Sequence, residues 1–348
     1  MKKLIRILTP FLLLNSIALT GCQKKDGRVL LSFGDIHATE SRSIELDYLD
    51  NAINAKENFL LVVSTTTCGC WDEFQATLNP YLKKNKALCY QISYNQISNK
   101  DVAASYGLTM VSKSTTTFAI FENGEIKTYL NTSKNSETMY TTKKFEKYMS
   151  QTVRLPSCFF INKDDVTKIK NSKKNAVIYF ERNGCSDCSA LNPGILRKYI
   201  ENHDKMQKIY VLDCEEYYRK QGQDGYDDYL KLKKDLGLAK ETNPTFGYQA
   251  GVFPFFSFIS QGKYASGSVI YNDSLTKEDN KYKITESYYT SESVKKLQYT
   301  NTVIQGKTVP ASDVTAYGTW KNDKADAIYE DILNSFLDYA LPKTTFTF

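Results

Sequence analysis

The chain has 348 residues, enough for two ordinary domains plus a targeting segment, with 45 Lys and Arg against 39 Asp and Glu. That near-balance, with lysines spread among acids and no basic stripe interleaved with aromatics, excludes nucleic acid as an expected partner. The 25 tyrosines accompany many Lys and Asn and read as compositional bias rather than as a binding face.

The first element is a leader. Met1-Lys2-Lys3-Leu4-Ile5-Arg6 is followed by a mostly apolar run from Ile7 to Gly21, too short for a bilayer span and suited to a signal-peptide core. Its end, Leu19-Thr20-Gly21-Cys22, resembles a bacterial lipobox, which implies cleavage after residue 21 and lipidation of Cys22. Two acyl chains on Cys22 would supply the two signals that stable anchoring needs. The expected location is therefore the cell membrane, lipid-anchored and facing the extracytoplasmic side, where disulfides persist. No later segment is long and apolar enough to span a bilayer. Loss of Lys2, Lys3 and Arg6 leaves 42 basic against 39 acidic residues.

Residues 22–40 read as a tether and first strand. A first unit over 41–153 then contains the β-rich run Asn58 to Thr65, the cysteines Cys68-Gly69-Cys70 and a helical stretch through Leu78-Asn79-Pro80. A second run from Ala87 to Ser93 follows, then Thr116 to Phe121, the turn Glu122-Asn123-Gly124, and Glu125 to Leu130. Asn-Gly between two such runs is a hairpin signal. Thr142 to Val153 closes the unit as an amphipathic helix.

A second unit over 154–348 repeats this order. Asn175 to Glu181 reads as a strand, Cys185-Ser186-Asp187-Cys188 as a cysteine pair, and Leu191-Asn192-Pro193 lies in the following helix. Lys208 to Cys214 is the next strand, Phe255 to Ile259 and Ser266 to Tyr271 a hairpin, and Lys324 to Leu341 a closing helix. Two longer stretches, 215–251 and 272–322, are read as insertions. The expected fold class is α/β, each unit a central mixed sheet flanked by helices.

Strand, cysteine pair, helix with an internal proline, strand and hairpin together resemble the thioredoxin superfamily, twice over. The second unit is the closer match, through Cys185-x-x-Cys188, Pro193 and Phe253-Pro254 before the hairpin. The resemblance implies Cys185 as nucleophile and Cys188 as resolving thiol, with a cis bond before Pro254 and substrate bound along Phe253 and Pro254. A thiol at a helix N-terminus is favoured as thiolate, Arg182 should favour it further, and Asp187 should oppose it. The resemblance also implies a buried carboxylate six residues before the first cysteine. Tyr179 occupies that position, and Glu181, on the same face by alternation, is the available substitute.

The first unit departs from the pattern, with Cys-x-Cys at Cys68 and Cys70, Trp71 where the second thiol would fall, and Thr116 in place of the proline. Cys68 and Cys70 form a possible second redox pair, or the unit is a degenerate binding module. Cys89, Cys158 and Cys214 read as small buried residues, with Cys214 near enough to the active edge for a third redox thiol to be conceivable. His37 and His203 read as surface residues.

The function expected is thiol–disulfide exchange with exported protein thiols or disulfides, served by an unidentified membrane redox partner. The competing reading is a non-catalytic lipoprotein that binds peptides or partner proteins. Metal capture by Cys68, Cys70, Cys185 and Cys188 is the weakest reading, because the pairs sit in separate repeats. No cofactor and no metal are expected.

Overall fold

The structure, a computed structural model, describes residues 26–348 except 66–68, 204–205, 237–252, 270–274, 279–280, 285–287, 291–307, 311–329, 331–332 and 335. The leader, Cys22, Cys68 and much of the two insertions lie outside the described residues. No described helix is long and apolar enough to cross a membrane.

The chain begins with two short strands, β1 (Val29–Leu30) and β2 (Gly34–Asp35), and then builds the first unit. Its elements are β3 (Arg42–Ser43), α1 (Leu46–Asn54), β4 (Leu60–Ser64), α2 (Cys70–Asn85), β5 (Cys89–Ser93), α3 (Lys100–Ser105), β6 (Thr117–Glu122), β7 (Glu125–Asn131), α4 (Thr132–Tyr140) and α5 (Thr142–Thr152), followed by β8 (Val153–Arg154). The second unit has β9 (Cys158–Ile161), α6 (Lys163–Asn171), β10 (Ala176–Glu181), α7 (Ser186–Leu191), α8 (Arg197–Asn202), β11 (Ile209–Asp213), α9 (Tyr226–Asp235), β12 (Phe255–Ser260) and β13 (Lys263–Val269).

The two sheets have one plan. In the first, the order is β3-β5-β4-β6-β7, with β3, β5 and β4 parallel and β6 and β7 antiparallel to their neighbours. In the second, β9-β11-β10-β12-β13 repeats that order and those directions. The central strands β4 and β10 are buried at every position, because helices cover both faces of a sheet whose parallel strands need crossover helices. Alternation then sorts their side chains. Val177 and Tyr179 pack with Leu191, Leu196 and Phe336, while Ala176, Ile178 and Phe180 pack with Ile169 and Phe346 on the other face.

Both hairpins turn on the same chemistry. Asn123-Gly124 has φ of 55° and 78°, and Gln261-Gly262 has 51° and 80°, the left-handed pair that a two-residue hairpin turn with matching twist demands. Each glycine also abuts the end of the preceding unit-opening helix. A Cβ on Gly124 would meet Ile53 O at 2.4 Å, and one on Gly262 would meet Lys170 O at 2.2 Å.

The N-terminal segment belongs to both units. β1 pairs parallel with β8, whereas β2 joins the outer edge of the second sheet beside β9. Val29 and Leu31 are buried in the first unit's core, and Leu30 and Phe33 in the second's. A second link comes from α8, where the Arg197 guanidinium donates to Asn123 Oδ1 and to Lys56 O, each at 2.6 Å. Those acceptors are turns of the first unit, so one buried cation ties the helix behind Cys185 to the neighbouring sheet.

Three differences from the sequence reading have physical causes. The strand expected from Ser266 begins at Lys263, directly after the two-residue turn. The first unit ends in two helices, α4 and α5, separated at Thr141, rather than in one. The helix after Cys188 is continuous to Asn202 but passes through a π turn at Asn192–Leu196, where Pro193 has no N–H to give to the ladder.

Gly262→Ala should lower stability by about 2 kcal/mol, since the new methyl meets both a positive φ and a carbonyl. A urea titration should show a lower midpoint with an unchanged slope, and an unchanged midpoint would show that the turn relaxes freely.

Candidate active site

Strand β10 ends at Glu181, and four residues later Cys185 stands at the N-cap of α7, where its carbonyl accepts the first helical hydrogen bond from Ser189 N–H at 3.0 Å. The connecting loop is held by Glu215. Its carboxylate accepts from the Arg182 guanidinium at 3.0 Å and from Gly184 N–H at 2.9 Å, and the same guanidinium lies 4.1 Å from the centre of the Tyr218 ring. The charge of Arg182, expected to act on the thiolate, is thus committed to Glu215 and Tyr218.

Cys188 lies one turn on, within hydrogen-bonding reach of Cys185, and both are thiols in this structure. Cys185 is 8 % exposed and Cys188 2 %, so the first sulfur is the one that a substrate meets. The Asp187 side chain lies outside the described residues. Burial pushes the Cys188 thiol far up, the neighbouring Cys185 and Glu181 push it further, and a hydrogen bond from the Arg182 backbone opposes them.

Phe253 and Pro254 come to the same place from the start of β12. The Phe253–Pro254 peptide bond is cis, as the resemblance implies, and the Cys185 Sγ is 3.8 Å from Phe253 O. In the first unit Cys70 opens α2 and its Sγ lies 3.5 Å from Thr116 Oγ1, at the residue preceding β6. In both units the start of the cysteine-bearing helix meets the segment that leads into the strand antiparallel to the central one, on sheets of one order and direction. The chain is a tandem of thioredoxin folds.

No protein-family model matches the sequence, and no curated protein matches it. Among solved structures, the chain is similar to a yeast mitochondrial 1-Cys peroxiredoxin described for its thiol resolving mechanism, with 14 % identity over 32 % of this chain and 96 % of that one and a TM-score of 0.23. It is similar to human ERp44 in its zinc-bound form, with 13 % identity over 51 % of this chain and a TM-score of 0.24, and it spans about half (48 %) of ERp44. The first two thioredoxin domains of Saccharomyces cerevisiae Eps1p match with 10 % identity over 64 % of this chain and 88 % of that one, TM-score 0.20. The chemistry of this tandem is therefore read from its own residues.

Behind the cysteine pair is a relay that the sequence reading only half contains. Tyr179, fully buried, donates from its hydroxyl to Asn192 Oδ1 at 2.9 Å, and Asn192 Nδ2 donates to Glu181 Oε2 at 2.8 Å. Tyr179 and Glu181 share a face, as alternation requires, and the amide of Asn192 spans them. Glu181 is 5 % exposed. Burial raises its carboxyl to about 8, Asp213 raises it further, and the Asn192 amide works against them. Asn192 was the missing member; its signal is the Leu-Asn-Pro triplet that both units carry inside the cysteine-bearing helix.

The first unit lacks this relay. Val62 and Ser64 end β4 where Tyr179 and Glu181 end β10, and the Asn79 Oδ1 of its own Leu-Asn-Pro is buried without a hydrogen-bond partner. Cys70 is disulfide-bonded, while Cys68 lies outside the described residues. Trp71 is buried beside Phe74 at the start of α2.

The remaining candidates are placed as follows. Cys214 packs in the same core cluster as Cys185 and Cys188 but is buried, with Sγ 3.7 Å from Leu212 O, and burial drives its thiol far up. Cys89 and Cys158 are fully buried thiols. His37 is a surface residue, half exposed, as its sequence context suggests, and its Nε2 lies 2.6 Å from Oδ2 of the fully buried Asp165. Among the described residues no three His, Cys, Asp or Glu side chains gather as a metal site.

Glu181 gives this site a pH signature. The unfolded carboxyl ionises near the ordinary 4.5, whereas the folded one holds its proton to about 8. Between those values the native state binds the extra proton, so Glu181 makes stability fall as pH rises, and the loss levels off above pH 8. Glu181→Gln, which keeps an acceptor for Asn192, should be more stable than the parent by about 3 kcal/mol at pH 8 and little different at pH 4.5. Melting temperatures across that range test this; a gap that does not widen with pH would show that Glu181 is ionised in the fold.

Proposed function

We propose that this protein is a membrane-tethered thiol–disulfide oxidoreductase that exchanges disulfides with exported proteins through Cys185 and Cys188. The observation that carries the chemistry is the grouping at one sheet edge: an outer thiol at a helix N-cap against Phe253 O, an inner thiol one turn on, and a protonatable carboxyl buried behind them. The tether is carried by Leu19-Thr20-Gly21-Cys22. Phe253 and Pro254 form the ledge on which a substrate backbone would lie beside Cys185.

Cys185 thiolate attacks one sulfur of a substrate disulfide, forming a mixed disulfide and releasing one substrate thiolate, which takes a proton from solvent. Cys188 must then lose its proton, and burial makes that costly without a base. Ionised Glu181 accepts it, with Asn192 fixing the carboxyl. The Cys188 thiolate attacks Cys185 Sγ, the second substrate thiol leaves, and the protein holds a Cys185–Cys188 disulfide. The substrate has gained two electrons and the protein has lost them. The same steps reversed oxidise a substrate dithiol, and the potential of the redox partner sets the direction.

The first unit supports a binding role in this scheme. With no acid at Ser64 and a threonine at Thr116, it retains the cysteine-bearing helix but not the means to move a proton to a resolving thiol. A peptide-holding function for that unit is compatible with catalysis in the other.

With the chain lacking residues 1–21, Cys185→Ser should abolish dithiothreitol-driven insulin reduction. Cys188→Ser should instead accumulate a mixed disulfide with substrate, visible by non-reducing electrophoresis. Glu181→Gln should slow release from that intermediate by about 10²-fold and remove its rise towards pH 8. A chain whose Cys185–Cys188 pair neither oxidises nor exchanges with glutathione would leave only the non-catalytic reading.

A further inference from the structure

The two helices that present cysteines at their N-terminal ends bring their C-terminal ends together on the far side of the molecule. There, Tyr81 and Lys84 from α2, Ile200 from α8 and His203 just after it line a cleft of about 720 Å3 between the units. Its wall is cationic: Arg28, Lys84, Lys143, Lys147 and Arg154 line it, and among the described residues Glu146 is the one acidic lining residue. Glu146 is taken by Lys84 at 2.7 Å, and Asp26 nearby is shared by Arg28 at 2.6 Å and Arg154 at 3.8 Å. Lys143 and Lys147 are exposed and have no carboxylate partner among the described residues. Between these cations stands Leu155, 41 % exposed and one of three large apolar side chains so exposed among the described residues.

Asp26, whose carboxylate meets the cleft residues Arg28 and Arg154, is four positions after Cys22 in the sequence, and a chain of any conformation spans at most about 14 Å over four positions. A bilayer holding Cys22 is therefore close to these cations, and a surface charge acts over a Debye length of about 8–10 Å. From the cleft, the 16 residues of α2 extend about 24 Å and the run 186–202 about 25 Å to their cysteine-bearing ends.

We propose that this cleft is a docking face for anionic phospholipid headgroups, with Leu155 entering the headgroup layer, and that it holds both cysteine-bearing edges turned away from the membrane. Its placement beside the bilayer rests on the anchor at Cys22; its charge and its exposed leucine do not. An anchor alone would leave the molecule free to tumble about its tether. Docking fixes which edge meets a client.

The test uses the chain without residues 1–21 and with Cys22→Ser. Every described strand begins at Val29 or later, so this chain keeps all the described elements. Sedimentation with vesicles of phosphatidylcholine containing about one third phosphatidylglycerol should capture it at about 0.1 M salt and release it at about 1 M, whereas pure phosphatidylcholine should not capture it. Lys143→Glu with Lys147→Glu should weaken capture about tenfold or more. Lys163→Glu with Lys174→Glu, equally exposed but outside the cleft, should leave it unchanged.

Equal capture by both vesicle types, or equal loss in the two variant pairs, overturns the docking face. So does displacement by millimolar glycerol phosphate, which would mark a pocket for a single soluble phosphate. The mass of the Cys22 peptide from cells expressing the full chain tests the anchor separately. Vesicle capture with an unmodified Cys22 sinks the anchor and keeps the face; a lipidated Cys22 without capture does the reverse.

Discussion

Strand β10 has no exposed residue, and most of the second unit follows from that constraint. A strand buried on both faces must be flanked by strands and roofed by helices, so the chain can leave it only at its end. The cysteines are set at that exit. The last residue of the strand is a carboxylic acid, and a carboxylate there would sit in apolar surroundings; holding the proton to about 8 is how the fold accommodates it. Asn192 is available to bond that acid because the helix arriving from Cys188 loosens into a π turn where Pro193 breaks the ladder. Burial of one strand thus fixes the thiols, the acid and the amide together.

The same plan with different residues has a different capacity. The first unit keeps the buried central strand, the cysteine-bearing helix and the left-handed hairpin turn. It has Val62 and Ser64 where the second has Tyr179 and Glu181, and its Asn79 Oδ1 is left buried and unpaired. A buried acceptor without a donor costs stability, so Asn79 carries a cost that Asn192, bonded to Tyr179 and Glu181, does not. The contrast lies in side chains and cysteine spacing, with Val62, Ser64 and Thr116 against Tyr179, Glu181 and Pro254, and not in strand order.

Much of this was legible in the sequence because it depends on local pattern. Apolar runs of five or six residues, Asn-Gly, and Cys-x-x-Cys at a strand-to-helix junction located the central strands, the first hairpin and the thiol pair. What escaped depends on contacts between distant segments. Nothing local in Gly34-Asp35 says that it joins a sheet led by Phe159, and nothing in Arg197 says that it reaches Lys56 and Asn123. Glu181 was visible as a neighbour of the site, but its link to Tyr179 required Asn192, which a helix positions from eleven residues away. His37 is the surface residue its context suggests, but nothing local shows its partner, Asp165, which lies 128 positions on.

The segment from Val29 to Ile36 also sets an order of events. It is made before either sheet, yet Gly34 pairs with Phe159 and Val29 with Val153, so its strand partners emerge more than a hundred residues later, while its backbone partners Asn58 and Lys86 come sooner. The first unit can close its sheet from β3 onward without waiting, since β3 to β7 pair only among themselves. The second cannot be edged by β2 until the chain between them has collapsed. Such long-range closure is slow. The segment Val29 to Ile36 is therefore held first by the first unit, through Asn58 and Lys86, and gains its strand partners only once β8 and β9 have followed.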